Sequence, residues 1–155
     1  MPFDRIVRKP DGRYRLELPF EEQEVLRTLP AQLREILDSD DPSLRRLFPP
    51  AYEDDEKGNA EYAQLMRGEL LEGKRAALEV LEQTVDADML DEEQMLAWLG
   101  ALESLRLVLG TAIGVTEETY AELVSDDDAE AAELALYGYL SWLQEQAVAA
   151  LAANL

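Results

Sequence analysis

The strongest constraint on the fold is a long segment in which almost every side chain is apolar. It runs from Met95 to Leu109, and Glu103 and Arg106 are the charged residues within it. Asp91 precedes the segment and suits the N-cap position of a helix. Glu92 and Glu93 follow it in the first turn, where negative side chains interact favourably with the positive end of the helix dipole. A helix that is apolar on nearly all sides has to be covered by other elements. The segment therefore predicts a helix from Asp91 to about Leu109 at the centre of a bundle.

Apolar residues recur with helical spacing on both sides of this segment. Residues 25–37, 60–84 and 126–151 show this spacing, which predicts three long helices around the central one. Shorter helices are predicted at Leu44–Phe48 and at Glu117–Val124. We therefore expect a mainly α fold, a single-domain bundle of about five to six helices.

The N-terminal residues show a different, two-residue period. Tyr14, Leu16 and Leu18 alternate with polar residues, and the turn sequence Lys9-Pro10-Asp11-Gly12 precedes them. This pattern predicts a β-hairpin over residues 3–18. Because an isolated hairpin is marginally stable in water, we expect it to pack on a helical bundle of residues 20–155. A chain of 155 residues has enough apolar surface for one core, so residues 1–155 are predicted to form one domain.

The composition excludes several kinds of chemistry. The chain contains no cysteine and no histidine, which removes thiol nucleophiles, disulfides and the usual zinc ligands and general base. We expect no enzymatic activity, cofactor or metal. The N-terminus lacks the pattern of a signal peptide, and no uninterrupted apolar run approaches the roughly eighteen residues that a membrane helix needs. The expected location is therefore the cytoplasm, without membrane association.

The net charge of −20 is unevenly distributed along the chain. The first sixteen residues are locally basic, whereas no lysine or arginine follows Arg106. The overall charge repels nucleic acid phosphates, so we expect that nucleic acid is not a partner. Arg13 and Arg15 in the hairpin are candidate contacts for a protein partner. The alternative for such residues is an ion pair with acidic groups of the same chain.

Three further residues are candidates for binding. Phe48 and Tyr52 flank two prolines, an arrangement that suits a docking anchor and equally suits ordinary core packing. Arg106 interrupts the apolar helix and needs a partner for its guanidinium group. Glu103, one turn earlier, provides one candidate partner, and an external ligand or protein provides another.

A group of carboxylates in the second long helix suggests a possible metal site. The group consists of two pairs, Glu69 with Glu72 and Glu79 with Glu82, and the members of each pair are three residues apart. Helical presentation of carboxylates is how some magnesium-dependent enzymes hold their metal ions. A solvated outer face, with Lys74 and Arg75 as local ion partners, explains the same pattern.

Three segments together resemble the actinobacterial family known as domain of unknown function 2017. They are Leu47–Tyr52, Trp98–Thr111 and Tyr139–Gln144. Members of that family are typically encoded near the ClpS protease adaptor, and some carry the label of transcriptional regulator. The resemblance implies a cytosolic regulatory protein and supplies no catalytic residues. Glu103-Ser104 departs from the Asn-Asp pair of the family, and the missing cysteines argue against redox sensing here.

These observations favour a non-enzymatic regulatory or adaptor protein that binds another protein, as a monomer or a homodimer. Two alternatives remain at this point. One is a DNA-binding transcription regulator that uses the hairpin arginines. The other is an enzyme or ligand-binding helical protein that uses the glutamate group with Mg²⁺ or Mn²⁺.

Overall fold

A computed structural model describes residues 4–37, 39, 41–48, 57–114 and 128–153. Within these ranges the chain forms four α-helices, a 3-10 turn and a three-stranded sheet. The elements are β1 (Ile6–Arg8), β2 (Tyr14–Leu16), α1 (Phe20–Ile36), the 3-10 turn (Pro42–Leu44), α2 (Lys57–Thr84), β3 (Met89–Leu90), α3 (Glu92–Ala112) and α4 (Asp128–Ala152).

Helix α3 occupies the position predicted for it, between α2 and α4. Asp91 caps it: its Oδ1 accepts from the Gln94 amide at 2.7 Å, while Gln94 Oε1 accepts from the Asp91 amide at 2.9 Å. This reciprocal pair satisfies two amides that helix geometry leaves without partners. Trp98 and Leu102 are fully buried, and the Trp98 indole donates to Thr84 Oγ1 of α2 at 2.7 Å. The helix continues three residues beyond the predicted Leu109, to Ala112.

Helix α3 is also long and apolar enough, by length and composition alone, to cross a membrane. The central helix of a folded bundle meets the same criterion. Met95 and Ala101 are fully buried against the rest of the chain, which is the environment of a core helix.

The predicted hairpin is confirmed, and a third strand extends it. β1 and β2 pair antiparallel with Ile6 opposite Leu16, and β3 pairs antiparallel with β2 with Leu90 opposite Tyr14. Gly12 has a positive φ of 89° at the hairpin turn, a conformation that favours glycine. β3 has two residues, too few for an alternating pattern to be recognised in the sequence.

The predicted number of helices is too high for the part of the chain that is described. Where a helix was expected at Leu44–Phe48, the structure has a 3-10 turn at Pro42–Leu44. Asp41 caps that turn by accepting from the Ser43 amide at 2.8 Å, and the turn does not propagate into a longer helix. The predicted helix at Glu117–Val124 lies outside the described residues.

Candidate functional site

Arg106 lies on α3 at the side that faces α4, and it is partly buried. It forms no ion pair with Glu103, whose side chain is exposed. Its Nε atom is buried without a hydrogen-bond partner. The local ion pair that the helical spacing allows is therefore absent, and the guanidinium group keeps its hydrogen-bonding capacity.

The two helices meet closely one turn away from Arg106. Gly110 packs directly on Tyr137 of α4, and a Cβ atom at Gly110 would lie 2.8 Å from Tyr137 Cε2. Residues four positions away on each helix lie on the same helix face as Gly110 and Tyr137, because a helix repeats its face every three to four positions. This places Arg106 opposite Ser141 at the start of a groove between α3 and α4.

The groove has a volume of about 360 Å³. Its lining residues are Arg106, Ser141, Gln144, Glu145, Val148 and Ala149. Arg106 Nε, Ser141 Oγ and Gln144 Oε1 have almost no solvent-accessible surface, so these three atoms lie beneath the surface of the groove.

A second polar cluster joins the N-terminus, α1 and α4. Arg5 is 8% exposed, and its Nε and Nη2 donate to the two carboxylate oxygens of Glu22 at 3.0 and 2.8 Å. Tyr139 donates to Glu22 Oε1 at 2.7 Å. The Arg5 guanidinium carbon lies 5.2 Å from the centre of the Trp142 ring. Gln146 Oε1 accepts from the Arg5 and Ile6 amides.

The charges in this cluster stabilise each other. Burial alone would raise the pKa of Glu22, but the hydrogen bonds from Arg5 and Tyr139 leave that pKa below its ordinary value. The hydrogen bond to Glu22 raises the pKa of Arg5. Burial, followed by the same carboxylate, raises the pKa of Tyr139. All members have their partners within the chain, so this cluster fastens the fold and offers no vacant binding group. The sequence placed Arg5 only within a basic terminus and gave no sign of this role.

The hairpin arginines are exposed and paired locally. Arg13 Nη2 lies 2.9 Å from Asp11 Oδ2, and Arg15 Nε lies 3.3 Å from Glu17 Oε1. The pKa of Asp11 is lowered by hydrogen bonds from the backbone and side chain of Arg13. Each arginine therefore has an acidic neighbour within the hairpin region, which reduces the local excess of positive charge.

Phe48 is 6% exposed and belongs to the hydrophobic core. The guanidinium carbon of Arg67 lies 4.1 Å from the centre of its ring, a cation–π contact. Phe48 thus packs as a core residue in this structure. Tyr52, its predicted companion, lies outside the described residues.

The four glutamates of the possible metal site do not form a cluster. Glu69, Glu72 and Glu79 are exposed, and Glu82 Oε2 lies 2.5 Å from Arg34 Nη1 of α1. Within the described residues no three acidic side chains are close enough to hold a metal ion. Their arrangement matches a solvated helix face.

Helix α2 presents an apolar surface to the solvent along its N-terminal half. Its C-terminal half is in the core, with Leu78 and Leu81 fully buried. Its N-terminal half exposes four large apolar side chains on one side. These are Tyr62 (64% exposed), Leu65 (61%), Met66 (37%) and Leu70 (37%), which we call the α2 surface.

Comparison with known sequences shows the family. The sequence profile described as domain of unknown function DUF2017 matches residues 2–151. The chain belongs to this family. It is also similar to a Mycobacterium leprae protein named "Putative oxidative stress regulator AosR", with 31% identity over 132 residues. That match covers 74% of this chain and 60% of the relative's own length. No solved structure matches the chain.

Proposed function

We propose that this DUF2017 protein is a non-enzymatic cytoplasmic regulator that acts by binding another protein through the α2 surface. The observation that carries the proposal is the exposure of Tyr62, Leu65, Met66 and Leu70 along one side of a single helix. Scattered apolar residues are normal on a protein surface, but a contiguous patch marks an interaction site. The regulator name of the M. leprae relative supports a role of this class.

The chemistry around the α2 surface defines the kind of partner. Glu61, Glu69 and Glu72 are exposed on the same stretch of helix. Arg67, on the same stretch, packs its guanidinium group on Phe48, so the acidic side chains outnumber it at the border of the surface. An apolar stripe with an acidic border is complementary to an amphipathic helix whose apolar side is bordered by lysine or arginine. We therefore commit to a partner protein that presents a basic amphipathic helix.

Regulation by this chain does not use thiol chemistry. The relative's name refers to oxidative stress, yet this sequence contains no cysteine, so neither disulfide formation nor sulfenic acid formation is possible within it. The response of this chain must depend on its partner or on another signal.

Direct DNA binding is the less favoured form of regulation. Arg5 is buried with Glu22, and Arg13 and Arg15 have acidic neighbours. The net charge of −20 opposes approach to a phosphate backbone. We expect no retention of the protein on duplex DNA, even at low ionic strength.

The test compares binding by the wild type with binding by two surface double variants. Tyr62→Ser with Leu65→Ser removes the two most exposed side chains of the α2 surface. Val25→Ser with Leu96→Ser is the matched control, because these residues are 38% and 53% exposed on other helices. Proteins retained from the native cytosol are identified, and the basic amphipathic segment of each is synthesised and titrated against all three proteins.

The proposal requires that one such peptide binds the wild type and the control, and that its binding weakens with added salt. The α2 variant should lose at least about 2 kcal/mol of binding free energy, as expected for a hot spot. Equal binding of every peptide to the α2 variant and the control, or no binding at all, would refute it.

A further inference from the structure

We propose that Met66 is an oxidation site, at which conversion of the thioether to methionine sulfoxide switches off binding by the α2 surface. This inference rests on the proposed function, because it concerns the regulation of the same surface. It adds the signal to which that surface responds, a two-electron oxidant of the peroxide class, and the atom that reacts, Met66 Sδ.

Methionine is the source of every sulfur atom in this chain. The sequence contains four methionines and no cysteine. A peroxide oxidises a sulfur atom that it can reach, so exposure decides which methionine reacts first. Met95 is fully buried, and Met89 is half-buried in β3. Met66 is 37% exposed, so it is the most accessible methionine in the described part of the chain.

The reaction adds one oxygen atom and moves two electrons. A lone pair of Met66 Sδ attacks one oxygen of hydrogen peroxide, the S–O bond forms and the O–O bond breaks. The departing hydroxide takes the proton from the transferred oxygen and leaves as water, so the sulfur is oxidised and the peroxide is reduced. The sulfoxide is polar, and dedicated reductases convert it back to the thioether. The modification is therefore reversible.

Met66 lies among the apolar side chains of the α2 surface. Tyr62 is one helical turn before it and Leu70 is one turn after it, so the three residues share a helix face. Both neighbours are large and exposed, and a partner helix that covers both also covers Met66 Sδ. The unmodified thioether suits such a contact, since it is flexible and apolar.

A sulfoxide at this position opposes the contact. Its oxygen is a hydrogen-bond acceptor, and apolar partner side chains that cover it remove its water without supplying a donor. The basic side chains of the proposed partner face the acidic border of the surface, where Glu61 and Glu72 are exposed. We expect oxidation to weaken binding at least about tenfold, as for a buried acceptor that is left without a hydrogen bond.

The first measurement concerns the oxidation and needs no partner. The full chain is treated with hydrogen peroxide, and the added oxygen is located over time by mass spectrometry of proteolytic peptides. Met95 should oxidise at least about tenfold more slowly than Met66 in the folded protein, because access to a buried sulfur requires local opening. The two should oxidise at the same rate in concentrated urea. Equal rates in the folded protein would overturn the proposal.

The second measurement concerns binding. Its probe is a synthetic amphipathic helix of leucine and lysine, free of sulfur, which is titrated against the chain before and after oxidation and removal of the peroxide. The oxidised wild type should bind this peptide at least about tenfold more weakly. Treatment with a methionine sulfoxide reductase and its reductant should restore binding.

Three variants attribute the change to Met66. Met66→Leu keeps an apolar side chain of similar size, so it should bind the peptide as the wild type does, both before and after peroxide. Met66→Gln carries a polar side chain of similar length and should bind weakly without peroxide. Met89→Leu is the matched control, and its binding should fall on oxidation as that of the wild type does. Met66 is exposed and lies outside the hydrophobic core, so both changes at this position should preserve the fold.

The proposed function and this inference fail in different ways. Absence of peptide binding by the reduced wild type would refute the complementarity of the α2 surface to a basic helix, and the role of Met66 with it. Equal binding before and after oxidation of Met66 would overturn the role of Met66 alone. An equal loss of binding on oxidation of Met66→Leu would do the same, because another group would then be responsible.

Discussion

Arg5 and Glu22 form a two-point ion pair that ties the N-terminal strand region to the first turn of α1. Arg5 Nη2 lies 2.8 Å from Glu22 Oε2, and their side chains are 10% and 21% exposed. Removing one partner of such a shielded pair lowers the free energy of unfolding much more than removing one partner of an exposed pair does. Arg5, which the sequence placed in a locally basic terminus, is therefore a structural residue.

Glu22→Gln should lower the free energy of unfolding by about 3 kcal/mol at neutral pH, because it leaves the Arg5 charge buried without a counter-ion. The folded-state pKa of Glu22 is below its ordinary value of 4.5, so its contribution is present above pH 4.5 and is lost as the pH falls through the folded-state pKa. In urea unfolding between pH 7 and pH 3, the difference in free energy of unfolding between wild type and variant should become smaller only in the acidic part of that range. Glu21→Gln, at an exposed neighbouring position, should show no such narrowing.

Tyr139→Phe should lower the free energy of unfolding by about 1–2 kcal/mol, since it removes the hydrogen bond to the Glu22 carboxylate while keeping the ring beside Trp142. Chemical denaturation measures the change. Tyr62→Phe, at a side chain that is 64% exposed, is the control and should change stability by less than about 0.5 kcal/mol. Equal effects at both tyrosines would contradict the assignment.

Gly110→Ala and Gly68→Ala should change stability in opposite directions. Alanine favours a helix by about 1 kcal/mol relative to glycine, and at Gly68 no atom lies within 4 Å of the added methyl group. At Gly110 the methyl group would meet the Tyr137 ring at 2.8 Å, and overpacking of this kind costs about 1–3 kcal/mol. Thermal unfolding should show a raised Tm for Gly68→Ala and a lowered Tm for Gly110→Ala. A raised Tm for both variants would contradict the tight packing of Gly110 on Tyr137.

Thr84→Val should destabilise the protein by about 1–3 kcal/mol, although it preserves the shape of the side chain. It removes the acceptor of the Trp98 indole N–H and leaves that buried donor without a partner. Denaturant unfolding measures the loss, and Thr28→Val at an exposed position of α1 is the matched control. An equal loss of stability in Thr28→Val would mean that the effect comes from the helix propensity of valine and not from the lost hydrogen bond of the indole.

The parts of the fold that the sequence predicted are those governed by local periodicity. The central helix with its Asp91 cap and the hairpin turn at Gly12 follow from neighbouring residues alone, and both are confirmed. The strand at Met89–Leu90 exists because β2 offers it a partner, so it depends on a contact between residues distant in sequence. The same reason explains why the role of Arg5 was missed, since Glu22, Tyr139 and Gln146 come together only in the folded chain.

The candidate site was predicted in part. Arg106 stood out because a charge within an apolar helix requires a partner. The groove around it depends on the close contact of Gly110 with Tyr137, which no local pattern reveals. The exposure of the α2 surface could not be predicted either, because the apolar period of α2 continues without change from its exposed half into its buried half.

Gln146 has a consequence for how other proteins can associate with this chain. Its side-chain oxygen accepts from the Arg5 and Ile6 amides, where β1 forms the outer strand of the sheet. An outer strand with vacant amides is a template on which a foreign peptide extends the sheet. Here Gln146 of α4 already occupies the Ile6 amide at the start of β1, and the opposite margin of the sheet, β3, has two residues. Both margins of the sheet thus offer a foreign strand little to pair with, which disfavours strand addition and edge-to-edge aggregation.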